Sequence, residues 1–381
     1  MFFIHGLIVS TWVSRIPAVQ ARLHLNNAVL GLTLLGAAFG SVLAIPVCGG
    51  LVTRFGSRAV TTYSTFGFCL SLAPASLATN APSLATALFF LGAMAATMDV
   101  SMNVQGVEVE KALGAPTMSR FHAMFSIGGM LGAALGGVAA AHGIDPVAHF
   151  AVSAIVNAAL AALFAGGMIA SESVEVSGRP LFHRIPAGLL AVSAIAFCML
   201  LSEGAMADWT AVYLRQTLLA GPGTAAAGYA VFSAAMAVFR LLGDAITLRL
   251  GNVRTVRTGS LVAASGVLWA ITAPSASWAL PGFAAAGAGF SVIVPIAFGA
   301  GGRVAGVSPG AGVATVTGLG YIGFLVGPPA IGFTSQVLSL RYGLGIVVLF
   351  CLIAALLAGR VGKSEFESNR RSAEGLAIEA S

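Results

Sequence analysis

The sequence predicts an all-α membrane protein of about twelve transmembrane helices in two pseudo-symmetric six-helix bundles. Three observations carry this prediction: the composition, the number of long apolar segments and an internal repeat. The chain has 381 residues, of which 57% are hydrophobic and 8% are charged, whereas roughly a quarter of the residues of a soluble domain are charged. With a mean hydropathy of +0.93, most of this chain must be surrounded by lipid.

Apolar segments follow one another along the whole chain, separated by short polar or Gly/Pro connectors. A helix needs about 20 mostly apolar residues to cross a bilayer, so the length allows roughly a dozen crossings. The segments lie near residues 1–20, 28–51, 59–79, 83–107, 118–141, 147–170, 185–214, 224–248, 255–273, 276–301, 311–338 and 342–360. An even number of crossings puts both ends of the chain on the same side of the membrane.

The first segment is interrupted early. Its apolar run ends at Val13 and is followed by Arg15-Ile16-Pro17, and about 13 residues do not cross the hydrocarbon layer. We therefore expect a shortened first helix, and we expect the natural chain to begin upstream of Met1. The run lacks the basic start and the small-residue cleavage site of a signal peptide, so no cleaved leader is predicted.

Two sets of residues recur at one offset of 195 residues. Thr53–Ser57, after the second segment, matches Leu248–Asn252 after the eighth. Three glycines of the fifth segment match three of the eleventh: Gly128, Gly132 and Gly137 against Gly323, Gly327 and Gly332. A six-helix unit repeated in the same orientation predicts a substrate site near the membrane midplane, between two halves that rock against each other.

The repeat and the polar stretches define the expected domains. We assign residues 1–170 to an N-terminal six-helix bundle, 171–184 to a cytoplasmic linker, 185–361 to a C-terminal six-helix bundle and 362–381 to a cytoplasmic tail. The linker contains the longest polar interruption before the tail. The tail mixes both charge signs, as solvated chain ends do.

Basic residues are distributed unevenly over the connectors. The tail and the connectors on the side of the N-terminus hold 14 Lys and Arg residues, and the other side holds four, which are Arg15, Arg22, Arg215 and Arg341. The positive-inside rule therefore places both termini in the cytoplasm, with the protein in the cell (inner) membrane. Because the net charge of +6 is spread over many connectors, it does not indicate a nucleic-acid partner.

The sequence carries no recognisable pattern for a metal, a cofactor or bond-making chemistry. The four cysteines stand singly in apolar segments, without metal-ligand spacing. Gly362-Lys363-Ser364 ends like a nucleotide-binding loop, but Leu357 stands where that loop requires glycine. We predict no catalytic residues, no metal, no cofactor and no enzymatic activity.

The connector Gly49–Arg58 resembles the signature loop between helices 2 and 3 of the major facilitator superfamily, with Thr53 and Ser57 replacing an acidic and a basic position. The resemblance implies the major facilitator fold and a charged gate. In the second copy, Arg240 and Asp244 are four residues apart and can pair on one helix face. The predicted gating residues are Gly50, Arg54, Gly56, Arg58, Arg240, Asp244 and Arg249. The alternative is that these residues only anchor the topology.

A narrower resemblance involves the fourth and fifth segments. Met98–Asn103 and Ser119–Gly129 are similar to the fucose permease branch of sugar:proton symporters, with an acid followed four residues later by an asparagine. The resemblance implies that Asp99 is the branch's proton-linked carboxylate and that Asn103 is the branch's asparagine. The branch's carboxylate in the first helix falls on Val13, so the coupling scheme of the branch is incomplete here.

The chemistry of Asp99 can also be considered without the resemblance. A carboxylate in the middle of a transmembrane helix costs about 2.5–3.5 kcal/mol, so Asp99 should face protein or a wet cavity. Asn103 lies one turn further on the same face, where an acid and an amide can bind a polyol-like ligand. The alternatives are contact with a proton or substrate, and a purely structural hydrogen bond between helices.

A second acidic cluster is formed by Glu203, Asp208 and Trp209 in the seventh segment. Five residues separate the two acids, about 140° on a regular helix, so they share a face only if the helix is broken. Asp208 lies 195 residues after Val13 and could supply an acid from the other half. Trp209 is a candidate for substrate contact or for an interfacial anchor.

We conclude from the sequence that the chain is a secondary transporter that moves a small solute by alternating access, with a sugar:proton symporter as the specific expectation. The expected partners are the substrate, protons and the lipid bilayer, and we expect a monomer. A proton-driven exporter is the first alternative, although its glycine-proline signature is missing between Gly128 and Gly137. A non-transporting membrane sensor on the same scaffold is the second.

Overall fold

The computed structural model describes residues 1–114, 117–169, 186–304, 307 and 309–362. All regular structure in these ranges is helical. The helices are α1 (Phe2–Arg22), α2 (Asn27–Phe55), α3 (Ser57–Leu77), α4 (Ala81–Leu113), α5 (Met118–Ala141), α6 (Pro146–Ala165), α7 (Ala187–Gln216), α8 (Pro222–Leu250), α9 (Asn252–Thr272), α10 (Ala276–Phe290), α11 (Ile293–Gly301), α12 (Pro309–Val337) and α13 (Leu340–Leu357). Because α10 and α11 together form one span, the described residues form twelve helical segments, ten of which are long and apolar enough to cross a membrane, and the predicted fold class is confirmed.

The two halves follow the 195-residue repeat helix by helix. Adding 195 to the bounds of α2 gives the bounds of α8, and adding it to those of α3 gives those of α9. Gly56, between α2 and α3, has φ 78° and ψ 152°, and Gly251, between α8 and α9, has φ 74° and ψ 157°. Glycine alone adopts such angles without strain, which explains why both connectors retain it.

The prediction of a shortened first helix is wrong. α1 continues through Pro17 to Arg22 and contains 21 residues, about 31 Å of helix, so it is long enough to span a bilayer. The apolar pattern stops at Val13 because a buried charge follows. Arg15 is only 3% exposed, and its guanidinium donates to the carbonyl of Ile144.

The tenth predicted segment, residues 276–301, is divided into two helices. α10 ends at Phe290 and α11 begins at Ile293. Pro295 lies in the first turn of α11, where it has no N–H and its ring excludes a helical bond to the carbonyl four residues earlier. That carbonyl belongs to Ser291, and Arg240 Nε donates to it at 3.4 Å.

The halves pack against each other through α1 with α7, α2 with α12, and α5 with α8. We call the membrane side on which α1 begins the N-side and the side on which α1 ends the far side. On the far side, Gln216 Nε2 donates to Gln20 Oε1 at 3.0 Å. Gly31 and Gly332 bring the backbones of α2 and α12 into direct contact. The far side is therefore closed in this structure.

The four far-side arginines have structural partners. Each donates to a backbone carbonyl near the end of a helix: Arg15 to Ile144, Arg22 to Ala78, Arg215 to Ala220 and Arg341 to Ile271. Carbonyls at helix C-termini lack intrahelical donors and attract cations. Ala78 and Ile271 lie at such ends, whereas Ile144 and Ala220 lie in connectors, so the four arginines hold both helix ends and connectors on the far side.

The domain boundaries remain predictions. The predicted linker 171–184 and the predicted tail beyond Gly362 lie outside the described residues. The first half comprises α1 to α6, and the second comprises α7 to α13.

Candidate functional site

Asp99 lies within α4 and connects the two halves. Its Oδ1 accepts a hydrogen bond from Asn103 Nδ2 at 3.2 Å, and its Oδ2 accepts one from the Tyr321 hydroxyl of α12 at 3.2 Å. The carboxylate is half-buried, so it faces protein, as its cost in lipid requires. Asp99 and Asn103 share a face because they are one helical turn apart. The sequence pattern did not identify Tyr321 as a partner of Asp99, because the two residues are 222 positions apart along the chain.

Further groups surround Asp99 on three helices. His5 Nε2 of α1 lies 3.2 Å from the carbonyl oxygen of Ala95, and Cys48 Sγ of α2 donates to that of Thr97 at 3.4 Å, both on α4 within about one turn of Asp99. His122 of α5 accepts from Arg240 through its backbone carbonyl. The ring of His5 lies between Phe68 and Phe125, with centroid distances of 5.3 and 5.4 Å. Asp99 therefore stands among groups that can donate, accept or exchange protons.

Arg240 of α8 is the centre of a second charged cluster. Its Nη2 is 3.6 Å from Glu203 Oε1 of α7, and the two side chains are 10% and 21% exposed. Its Nη1 donates to Ser126 Oγ of α5 at 2.8 Å. The cluster therefore joins the halves, as the Asp99 contact does.

The predicted pairing of Arg240 with Asp244 is wrong. Asp244 is exposed, whereas a mostly buried guanidinium needs a carboxylate that is removed from solvent with it. Glu203 satisfies this condition because α7 packs against α8 at this level. Arg240 thus belongs to the centre of the protein and not to a connecting loop.

The other two predicted residues of α7 lie beside this cluster. α7 is continuous from Ala187 to Gln216, so Asp208 and Glu203 do not share a face. Within the described residues no hydrogen bond or ion pair reaches the Asp208 carboxylate, although both acids interact electrostatically with Tyr229. Trp209 is fully buried, which excludes the alternative of an interfacial anchor.

The remaining predicted gating residues lie on the N-side. Arg54 is exposed, with its guanidinium 5.1 Å from the ring centroid of Phe55, and Arg58 is half-buried. Asp244 lines a cleft of about 420 Å³ with Thr247, Leu248, Gly251 and Asn252. Gly50 has open space around it, and Arg249 is exposed. Among the described residues, no ion pair joins any two of the seven predicted gating residues.

Two glutamates near the end of α4 have structural partners. Glu108 Oε2 accepts hydrogen bonds from Ser57 Oγ at 3.0 Å and from Gln105 Nε2 at 2.9 Å. Glu110 Oε1 accepts from the first backbone N–H groups at the start of α5. Side-chain oxygens satisfy such helix-start donors, so Glu110 caps α5.

Comparisons with known proteins agree with this architecture. The sequence model of the family described as Major Facilitator Superfamily matches residues 1–319. The chain is 39% identical to an uncharacterized MFS-type transporter of Yersinia pestis, over 94% of each chain. Two solved structures share the fold: a D-xylose–proton symporter, with a TM-score of 0.71 and 14% identity over 94% of this chain and 95% of that chain, and the fucose:proton symporter of E. coli, with a TM-score of 0.63 and 15% identity over the same shares.

Proposed function

The chain belongs to the major facilitator superfamily, and we propose that it moves a small polyol-like solute across the membrane together with protons that bind at Asp99. The family and the relatives point to a transporter and not to an enzyme. Solute identity and coupling are our proposal. We also propose that both termini face the cytoplasm, that the membrane is the cell (inner) membrane, and that the unit is a monomer.

The observation that carries the proposal is the position of the Asp99 carboxylate. It lies on α4 of the first half and is hydrogen-bonded to Tyr321 of the second half. A carboxylate at the bilayer centre costs about 2.5–3.5 kcal/mol, and a packing role would be served by an uncharged residue. An acid located between the two halves can respond to proton binding when the halves move.

The groups around Asp99 favour a hydroxylated solute. A carboxylate accepts hydrogen bonds, the Asn103 amide both donates and accepts, and the Tyr321 hydroxyl does the same. Asn103 and Tyr321 each donate a hydrogen bond to Asp99, so the three groups are close enough together to bind neighbouring hydroxyls of a sugar. Two solved structures with the same fold are those of a fucose:proton symporter and a D-xylose–proton symporter.

We assign the remaining predicted residues by their surroundings. Glu203 and Arg240 form the buried charged pair of the second half, and Asp208 and Trp209 lie on α7 within two turns of Glu203. They extend the proposed substrate and proton pathway. Arg54, Arg58 and Arg249 are placed at the N-side, where charged side chains can stabilise one gate state.

The test is counterflow of labelled sugars into proteoliposomes that contain the full chain. The wild type should exchange at least one sugar and accumulate it when a pH gradient is imposed. Asp99→Asn keeps the size of the side chain and one acceptor oxygen but carries no charge and cannot bind or release a proton, so it should retain exchange and lose accumulation. Asp145→Asn is the matched control, because Asp145 caps α6 through the N–H of Val147 and asparagine caps equally well.

The same experiment separates the alternatives. A sugar that binds but never exchanges would support a sensor and refute transport. Loss of exchange in Asp99→Asn with normal expression would place Asp99 in solute binding alone and would refute its role in coupling. Accumulation by Asp99→Asn equal to that of the wild type would also refute the coupling role of Asp99.

A further inference from the structure

Two side-chain contacts join the halves at the level of Asp99, and the internal repeat relates them. Tyr321 of α12 donates to Asp99, and Ser126 of α5 accepts from Arg240. Tyr321 lies 195 residues after Ser126, so both hydroxyls occupy the same position of the six-helix unit. Each hydroxyl therefore binds a charged residue of the opposite half.

The two contacts have opposite polarity. Ser126 accepts from a permanently charged guanidinium, whose charge does not change between pH 5 and 9. Tyr321 donates to a carboxylate, and this bond is strong only while the carboxylate is ionised, because hydrogen bonds to charged groups are roughly twice as strong as neutral ones. Of the two, only the Tyr321 contact changes with the state of the site.

The ring of Tyr321 is fixed within the second half. It meets the ring of Phe324 edge to face, with centroids 5.5 Å apart. Phe324 in turn covers Gly204 of α7, where an added Cβ would be 2.7 Å from Phe324 Cδ1. The hydroxyl is thus held by α12 and α7, while its acceptor belongs to α4. A change at Asp99 therefore reaches two helices of the opposite half through Tyr321.

We propose that Tyr321 is the positioning residue through which the second half detects whether Asp99 is ionised and empty. This inference rests on the proposed function. With Asp99 ionised, the Tyr321 bond holds the halves in the arrangement that is closed on the far side. A proton or a solute hydroxyl at Asp99 weakens or replaces this bond and frees the halves to move.

Other polar and titratable groups lie around Asp99 besides Tyr321. They are His5 on α1, Cys48 on α2, His122 on α5 and Asn103 on α4 itself, with Glu203 and Arg240 beyond Tyr321 and His122. His5, Cys48, His122 and Asn103 belong to the same half as Asp99. Tyr321 is the hydrogen-bond partner from the second half among the described residues.

The test is hydrogen–deuterium exchange of the far-side ends of α1 and α7 in the substrate-free full chain. Tyr321→Phe keeps the ring and its packing but removes the hydroxyl. Loss of a hydrogen bond to a charged group changes an equilibrium by roughly 10- to 150-fold, so exchange at these amides should accelerate within that range. Asp99→Asn should accelerate it similarly, and the double variant should exchange no more than about threefold faster than Asp99→Asn.

Two further variants show whether the effect is specific. Ser126→Ala removes the acceptor of Arg240, which is a separate contact from the Tyr321 bond. In the double variant with Asp99→Asn, the two single accelerations of far-side exchange should therefore multiply. Tyr342→Phe removes the same hydroxyl from a residue that is 66% exposed, and its exchange should match the wild type. In proteoliposomes, Tyr321→Phe removes a hydroxyl from the proposed solute site, so counterflow should fall, but the accumulation ratio should fall further, towards one, as in Asp99→Asn.

The inference is overturned if Tyr321→Phe leaves far-side exchange unchanged, or if its effect multiplies with that of Asp99→Asn. An equal fall of counterflow and accumulation in Tyr321→Phe would also overturn it, since loss of packing would produce that result. These outcomes differ from failure of the proposed function, in which the wild type itself exchanges no sugar.

Discussion

The direct contact between α2 and α12 on the far side allows a quantitative prediction for Gly332→Ala. A Cβ added to Gly332 would lie 2.6 Å from the carbonyl oxygen of Asn27 and 3.1 Å from the Cα of Gly31. Both neighbours are backbone atoms of α2, so no side chain can rotate away. The two helices would have to separate by several tenths of an ångström.

The expected cost follows from this geometry. Overpacking by one methyl group costs about 1–3 kcal/mol, which corresponds to roughly a 5- to 150-fold change in an equilibrium constant. The change applies to the far-side-closed arrangement, since α2 and α12 must part when that side opens. Alanine also favours helix by about 1 kcal/mol, but α12 stays helical in both arrangements, so this contribution cancels.

The assay is hydrogen–deuterium exchange of the far-side ends of α2 and α12, with Gly345→Ala as the matched control. Gly345 lies on α13, and an added Cβ there meets no atom within 4 Å. Exchange should accelerate in Gly332→Ala and remain at the wild-type rate in Gly345→Ala. Equal exchange in the two variants would show that the backbones of α2 and α12 are not in contact, and would refute the reasoning.

Three further predictions concern single contacts. Gly56→Ala and Gly251→Ala should each lower the thermal stability in detergent by a similar amount, since each adds about 1–3 kcal/mol of backbone strain; a fall in only one variant would contradict the repeat. Glu110→Ala should cost about 1–2 kcal/mol by removing the cap of α5, and a Tm equal to that of the wild type would contradict the capping role. In a double-mutant cycle, Gln20→Ala and Gln216→Ala should couple by about 0.5–1.5 kcal/mol in far-side closure, whereas independent effects would show that the amide contact is not formed.

The fold could be predicted from the sequence because each helix carries its own signal. Apolar length and polar connectors identify the crossings, and the glycine connectors at Gly56 and Gly251 identify the repeat. The first helix was misjudged because a buried Arg15 resembles a helix end until its acceptor is known. The break between α10 and α11 was missed, although Pro295 was a readable sign of it.

The site could be predicted only where its residues are neighbours along one helix. Asp99 and Asn103 were found because four residues make one turn. Tyr321 and Ser126 are ordinary residues within apolar segments, and only the packing of α12 and α5 against the other half gives them charged partners. Arg240 was recognised as important but was paired with its neighbour in sequence, because the competing carboxylate comes from α7.

The repeat extends to the helices but not to the charges. At the equivalent positions in the other half, Asp99 corresponds to Val294, Glu203 to Ile8 and Arg240 to Ile45. The two halves thus share a backbone plan, whereas each charged residue of the centre belongs to one half alone. A substitution at the centre can therefore alter the charge of one half without disturbing the glycine contacts through which the two halves pack.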